Sequence, residues 1–90
     1  MKQHLTIRVY GRVQGVYYRQ STRQKAVELG LTGLVRNEPD GSVYIEAEGD
    51  PQILAQFQQW CESGPPHAQV TGLDVEEGEL QSYEGFEVHR

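Results

Sequence analysis

Between Leu5 and Tyr10 the chain alternates, with Leu5, Ile7 and Val9 in one phase and Thr6, Arg8 and Tyr10 in the other. A period of two predicts a strand with one buried face. A glycine-containing segment follows, from Gly11 to Arg19, and then the period changes. Tyr18, Thr22, Ala26 and Leu29 are spaced four, four and three apart, which predicts the inner side of a helix over about 18–29. Gly30 is well placed to close that helix in a left-handed cap. Gly33 to Asn37 then leads into Glu38-Pro39-Asp40-Gly41, after which Ser42 to Glu48 alternates again. Proline fixes φ for a turn and glycine accepts positive φ, so the pattern predicts a hairpin. Val43, Ile45 and Ala47 share one face and are expected to meet Leu5, Ile7 and Val9 in the core.

Asp50-Pro51 is a helix start, with a capping carboxylate and a proline at the first helical position. Ile53, Leu54, Phe57, Trp60 and Cys61 form the apolar stripe of that helix, and Ser63-Gly64-Pro65-Pro66 stops it. Trp60 and Cys61 read as core. A fourth strand is expected from about Ala68 to Glu76, but its alternation slips. Ala68 and Val70 share one phase while Leu73 and Val75 take the other, so a bulge is expected near Thr71-Gly72. Glu76-Glu77-Gly78-Glu79 reads as a solvated turn, and Phe86 to Arg90 as a short edge strand. The order is βαββαβ plus a tail strand. The fold class is α+β, a ferredoxin-like sandwich whose antiparallel sheet carries two helices on one face.

Ninety residues suffice for one small domain spanning 1–90, with a single two-layer core. The formal net charge is −5, from 13 acidic and 8 basic side chains. A nucleic-acid binder would show a basic face, so RNA and DNA are not expected partners. A small anionic ligand is compatible with that charge, because a local arginine and oriented amides outweigh the distant field. The one cysteine, Cys61, has no internal partner for a disulfide, which suits a reducing cytoplasmic setting. No apolar run approaches the ~20 residues a membrane span needs, and no signal-peptide core is visible. A cytoplasmic monomer is expected.

Chemistry concentrates in GRVQGVYYR, Gly11 to Arg19. A glycine-containing loop between a strand and a helix turns backbone N–H groups toward one centre, at the positive end of the helix dipole. Arg19, in the first helical turn, adds a planar fork of donors that matches phosphate oxygens. The segment therefore reads as an anion cradle, although most such turns bind nothing. Its spacing matches neither Gly-Lys-Ser/Thr nor Gly-x-Gly-x-x-Gly. Asn37 ends the second strand, which lies beside the third in this fold and so approaches the loop after the first. Its amide can accept from a water and donate to a ligand oxygen, or it can simply start the turn.

Taken together, GRVQGVYYR and GLVRNEPDGSVYIEAEG (Gly33–Gly49) closely resemble the two signatures of the acylphosphatase family, in the right order and spacing. The resemblance implies hydrolysis of acyl phosphates to a carboxylate and inorganic phosphate, the latter also an inhibitor, with neither metal nor cofactor. It implies that Arg19 is the catalytic phosphate-binding arginine and that Asn37 orients the attacking water. Arg12, Val13, Gln14, Gly15, Val16, Tyr17 and Tyr18 correspond to the phosphate loop, with backbone amides as its ligands. The family usually carries an aromatic residue where this chain has Leu34, and Phe-Arg where it has Tyr18-Arg19. The alternative is a non-catalytic domain of the same family within a larger maturation protein, binding phosphate or carbamoyl phosphate. His4, His67 and His89 are scattered without metal-ligand spacing, and surface or strand-end roles are expected for them.

Overall fold

Alternation becomes pairing at the centre of the sheet. The computed structural model describes residues 1–89. Strand β1 (Gln3–Arg12) lies antiparallel to β3 (Val43–Gly49), with Leu5 opposite Ala47, Ile7 opposite Ile45 and Val9 opposite Val43. These cross-strand partners form the expected core contact, and all but Leu5 are fully buried. Strand β2 (Thr32–Asn37) pairs antiparallel with β3, and β4 (Gln69–Gly78) with β1. Strand β5 (Phe86–His89) adds to the free edge of β2 in parallel, giving the order β4-β1-β3-β2-β5. The expected tail strand forms, and Arg90 lies outside the described residues.

Helices α1 (Tyr18–Glu28) and α2 (Pro51–Ser63) supply the second layer. Tyr18, Thr22 and Ala26 of α1 and Leu54, Phe57 and Cys61 of α2 are buried. Except for the polar Thr22, they share one apolar cluster with Ile7, Val9, Val35 and Ile45. Burying each large side chain of that cluster contributes roughly 1.5–3 kcal/mol. Asp50 caps α2 by accepting from the Gln52 amide at 2.9 Å, with Pro51 at the first helical position. Gly30 follows α1 at φ 74°, and the Gly30 and Leu31 amides donate back to Val27 and Ala26. Among the described residues no helix is long and apolar enough to cross a membrane.

The slipped alternation in β4 is a bulge. Tyr10 faces Gly72 and Gly11 faces Val70, so Thr71 is the unpaired extra residue. Gly11 permits the close approach there, since a Cβ would stand 2.1 Å from the Gln69 carbonyl oxygen.

Two expectations need correction. Glu76, Glu77 and Gly78 are not a turn but the end of β4, opposite Thr6, Leu5 and His4. An edge strand tolerates charged side chains, which protect the edge from further pairing. Of the surface or strand-end roles expected for His4, only the strand end holds: it is the second residue of β1 but just 3% exposed, on the sheet face away from the helices. The connection from β4 to β5 folds over it. The Gln81 and Ser82 amides donate to Glu48, which also binds His4 Nδ1 at 2.8 Å, and the Tyr83 hydroxyl donates to Glu46.

Candidate active site

Register sets the place of the site. Asn37 is opposite Val43, and Val43 is opposite Val9, so β1 and β2 run in the same direction and end together. Strand β5, parallel to β2, brings His89 opposite Arg36 at the same end. Asn37 shares the phase of Gly33 and Val35, so its side chain lies on the helix-covered face. The loop after β1 and the N-terminus of α1 meet it there.

Both valines of the loop are buried, Val13 at 1% and Val16 at 6% exposure, and they pin the loop to the core. Gln14 ties it to the hairpin, with its amide donating to the carbonyls of Glu38 at 2.8 Å and Ser42 at 2.9 Å. Gly15 has φ 74° and Tyr17 φ 63°, while Val16 between them does not take positive φ. Alternating handedness of this kind turns successive N–H groups to one side, a concave arrangement suited to an anion. The first turn of α1 follows directly and carries no acidic residue, so its dipole is not neutralised locally.

A cavity of about 350 Å3 opens at this point, lined by Val13, Gly15, Tyr17, Tyr18, Arg19, Gln20 and Asn37. Arg19 Nη1 donates to the His89 carbonyl at 3.0 Å, which fixes one side of the guanidinium against β5. One turn further on, Arg23 Nε donates to the Phe86 carbonyl at 3.0 Å. The Asn37 Oδ1 atom is buried with no hydrogen-bond partner among the described residues. A buried acceptor left unpaired costs on the order of 1–3 kcal/mol, and water or a ligand in the cavity can supply the partner.

Among the described residues no carboxylate lines the cavity, although a glutamate follows Asn37 directly. Glu38 pairs instead with Arg36 at 3.3 Å and Arg8 at 3.6 Å. Those two guanidiniums lie over the Tyr44 ring, 4.2 and 4.8 Å from its centroid. The negative charge next to Asn37 is thereby held on other partners, and the cavity keeps an excess of donors.

Of the seven residues expected in the loop, Val13, Gly15, Tyr17 and Tyr18 line the cavity. Arg12, Gln14 and Val16 do not: Arg12 is the last residue of β1, Gln14 faces the hairpin and Val16 faces the core. Gln20 was missed, and its position beside Arg19 in the first helical turn was the available signal. The His89 carbonyl was missed as well, and a backbone atom leaves no mark in a sequence. Tyr18 donates to the Cys61 carbonyl at 2.7 Å, and burial holds its hydroxyl far above the ordinary range. Burial also pushes the Cys61 thiol up to about 12, which suits packing and not nucleophilic chemistry.

Comparison with known proteins points the same way. The sequence model of the acylphosphatase family matches residues 5–88. The acylphosphatase of Methylococcus capsulatus is 61% identical over 69 residues, covering 77% of this chain and 75% of that protein. The solved structure of an acylphosphatase from Coxiella burnetii superimposes with a TM-score of 0.95 at 38% identity, covering 98% of this chain and 93% of that one. Full-length HypF, solved in a phosphate- and nucleotide-bound form, contains a similar fold with a TM-score of 0.89 at 27% identity. All of this chain is covered in that comparison, but only 12% of HypF. With both signatures, the fold and these likenesses in agreement, the chain belongs to the acylphosphatase family.

Proposed function

We propose that this chain is an acylphosphatase that hydrolyses acyl phosphates, with Arg19 and Asn37 as its catalytic residues. The phosphoryl group sits on the loop amides from Val13 to Tyr18 and on the Arg19 guanidinium. Water held by the Asn37 amide attacks phosphorus in line with the bridging oxygen. The bond from phosphorus to that oxygen breaks, and the carboxylate leaves with the electron pair. One proton of the water passes to a non-bridging phosphate oxygen, so the substrate serves as its own base. Such a reaction needs positioning and charge stabilisation more than a strong acid, because the leaving group is good.

The observation that carries this reading is that Asn37, its oxygen unsatisfied, and Arg19 line one cavity in which no described lining residue is His, Cys, Asp or Glu. Inorganic phosphate is then both product and competitive inhibitor. The chain works as a monomeric, cytoplasmic single domain without a metal. The test is turnover of benzoyl phosphate by the purified chain in EDTA, with Arg19→Gln as control. Hydrolysis above the spontaneous rate that disappears in the variant is expected, and turnover unchanged by Arg19→Gln sinks the assignment.

The likeness to HypF motivates a second reading, a phosphate-binding domain of a larger maturation protein. It predicts phosphate binding without turnover in the same assay. Relatives whose length this chain largely covers favour the enzyme.

A further inference from the structure

A phosphoryl cradle accounts for half of an acyl phosphate, and the acyl half must lie against something else in the cavity. Among the lining residues with apolar bodies, Val13 and Tyr18 are each 1% exposed and offer no surface. Tyr17 is 79% exposed. Among the described lining residues it therefore carries the one large apolar side chain left uncovered.

The conformation of Tyr17 says that the fold does not ask for this side chain. It is the cap residue of α1 at φ 63°, ψ 23°, and its side chain makes no capping bond. That left-handed conformation favours glycine, which the same loop uses two residues earlier at Gly15. The ring makes no hydrogen bond and no aromatic stack with the described residues. A residue held in a left-handed conformation with a largely exposed side chain, in the wall of a binding cavity, fits a ligand contact. A tyrosine ring is flat and rigid, loses little freedom on binding, and stacks on planar groups.

We propose that the Tyr17 ring is the platform for the acyl group, and that it favours substrates with an aromatic acyl body over small aliphatic ones. This rests on the acyl-phosphate reading above. In the bound state the phosphoryl group occupies the loop, and the acyl plane covers the Tyr17 face that water otherwise wets.

The experiment compares benzoyl phosphate and acetyl phosphate on the parent chain and on Tyr17→Ala, Tyr17→Gly and Tyr17→Phe. Glycine suits the backbone at this position, so Tyr17→Gly guards against misfolding as an explanation. The Ala and Gly variants are expected to raise KM for benzoyl phosphate roughly three- to tenfold more than for acetyl phosphate, the loss of one stacking contact. Tyr17→Phe is expected to keep the parent ratio, because the face and not the hydroxyl makes the contact. Equal changes on both substrates, or none, overturn the proposal while leaving the acylphosphatase reading intact. A Phe variant that behaves like Ala overturns it too. Failure of the parent chain to hydrolyse either substrate overturns the reading beneath it.

Discussion

Arg19 and Asn37 differ in how they are held, and that difference predicts different kinetic losses. Arg19 is anchored through Nη1 to the His89 carbonyl, leaving the rest of its fork to bind oxygen atoms. Lysine cannot both reach the carbonyl and present a planar pair of donors. Arg19→Lys should therefore lose about 100-fold or more in kcat/KM, the scale of one transition-state donor, and should weaken inhibition by inorganic phosphate. Asn37→Ala should lower kcat by a similar factor while the inhibition constant for phosphate changes little, because the amide acts on water. If phosphate affinity collapses in a folded Asn37→Ala protein, that amide belongs to the cradle instead. A second expectation concerns pH. Among the described residues no His, Cys, Asp or Glu lines the cavity, and none of the remaining side-chain types normally titrates between about pH 5.5 and 8. In EDTA, kcat should be nearly flat across that window. A limb near pH 6.5 that vanishes on replacing His4, His67 or His89 would rule out the substrate as base.

At the scale of the element, the connection between β4 and β5 is fastened by Glu48. Burial works to raise the carboxyl pKa of Glu48, and donation from the Gln81 amide, His4 and the Ser82 amide outweighs it, so the pKa lies below the usual range. A carboxyl depressed by folding adds stability that is fully present above its unfolded value of about 4.3 and is lost as pH falls through the folded value. The urea midpoint should thus fall as the solution is acidified below about pH 4.5. Glu48→Gln should flatten that part of the curve, and an unchanged slope would show that the fastening does not depend on the charge.

Elements also explain how much of this was legible beforehand. The bulge at Thr71 could be read because two apolar pairs in one strand fall out of phase. Arg19 and Asn37 could be placed at one end of the sheet because strand order follows from the βαββαβ pattern. The acidic end of β4 could not be read as strand, since Glu76, Glu77 and Gly78 offer no apolar side chain that continues the alternation. Nor could the burial of His4, whose partner Glu48 is 44 positions away and whose cover comes from Gln81 to Tyr83. Such contacts depend on where a loop of no regular pattern comes to rest.

Across the whole molecule, three strand ends and one helix start converge on the site. Strand β5 is the least entrenched of these, four residues long and held at one edge of the sheet. A chain ending at Gly85 loses Phe86 from the core and the carbonyls that hold Arg19 and Arg23. Burial of that phenylalanine alone is worth roughly 1.5–3 kcal/mol. The shortened chain should melt several degrees lower and lose kcat/KM even at temperatures where it stays folded. Full activity in the folded, shortened chain would show that Arg19 needs no support from β5. The same placement bears on the order of events during synthesis. A growing polypeptide delivers its N-terminal residues first, so both signatures and strands β1 to β4 leave the ribosome before the segment that anchors the arginine. Until β5 has followed, Arg19 lacks the carbonyl that holds it, so its anchoring is among the later contacts of the fold to form.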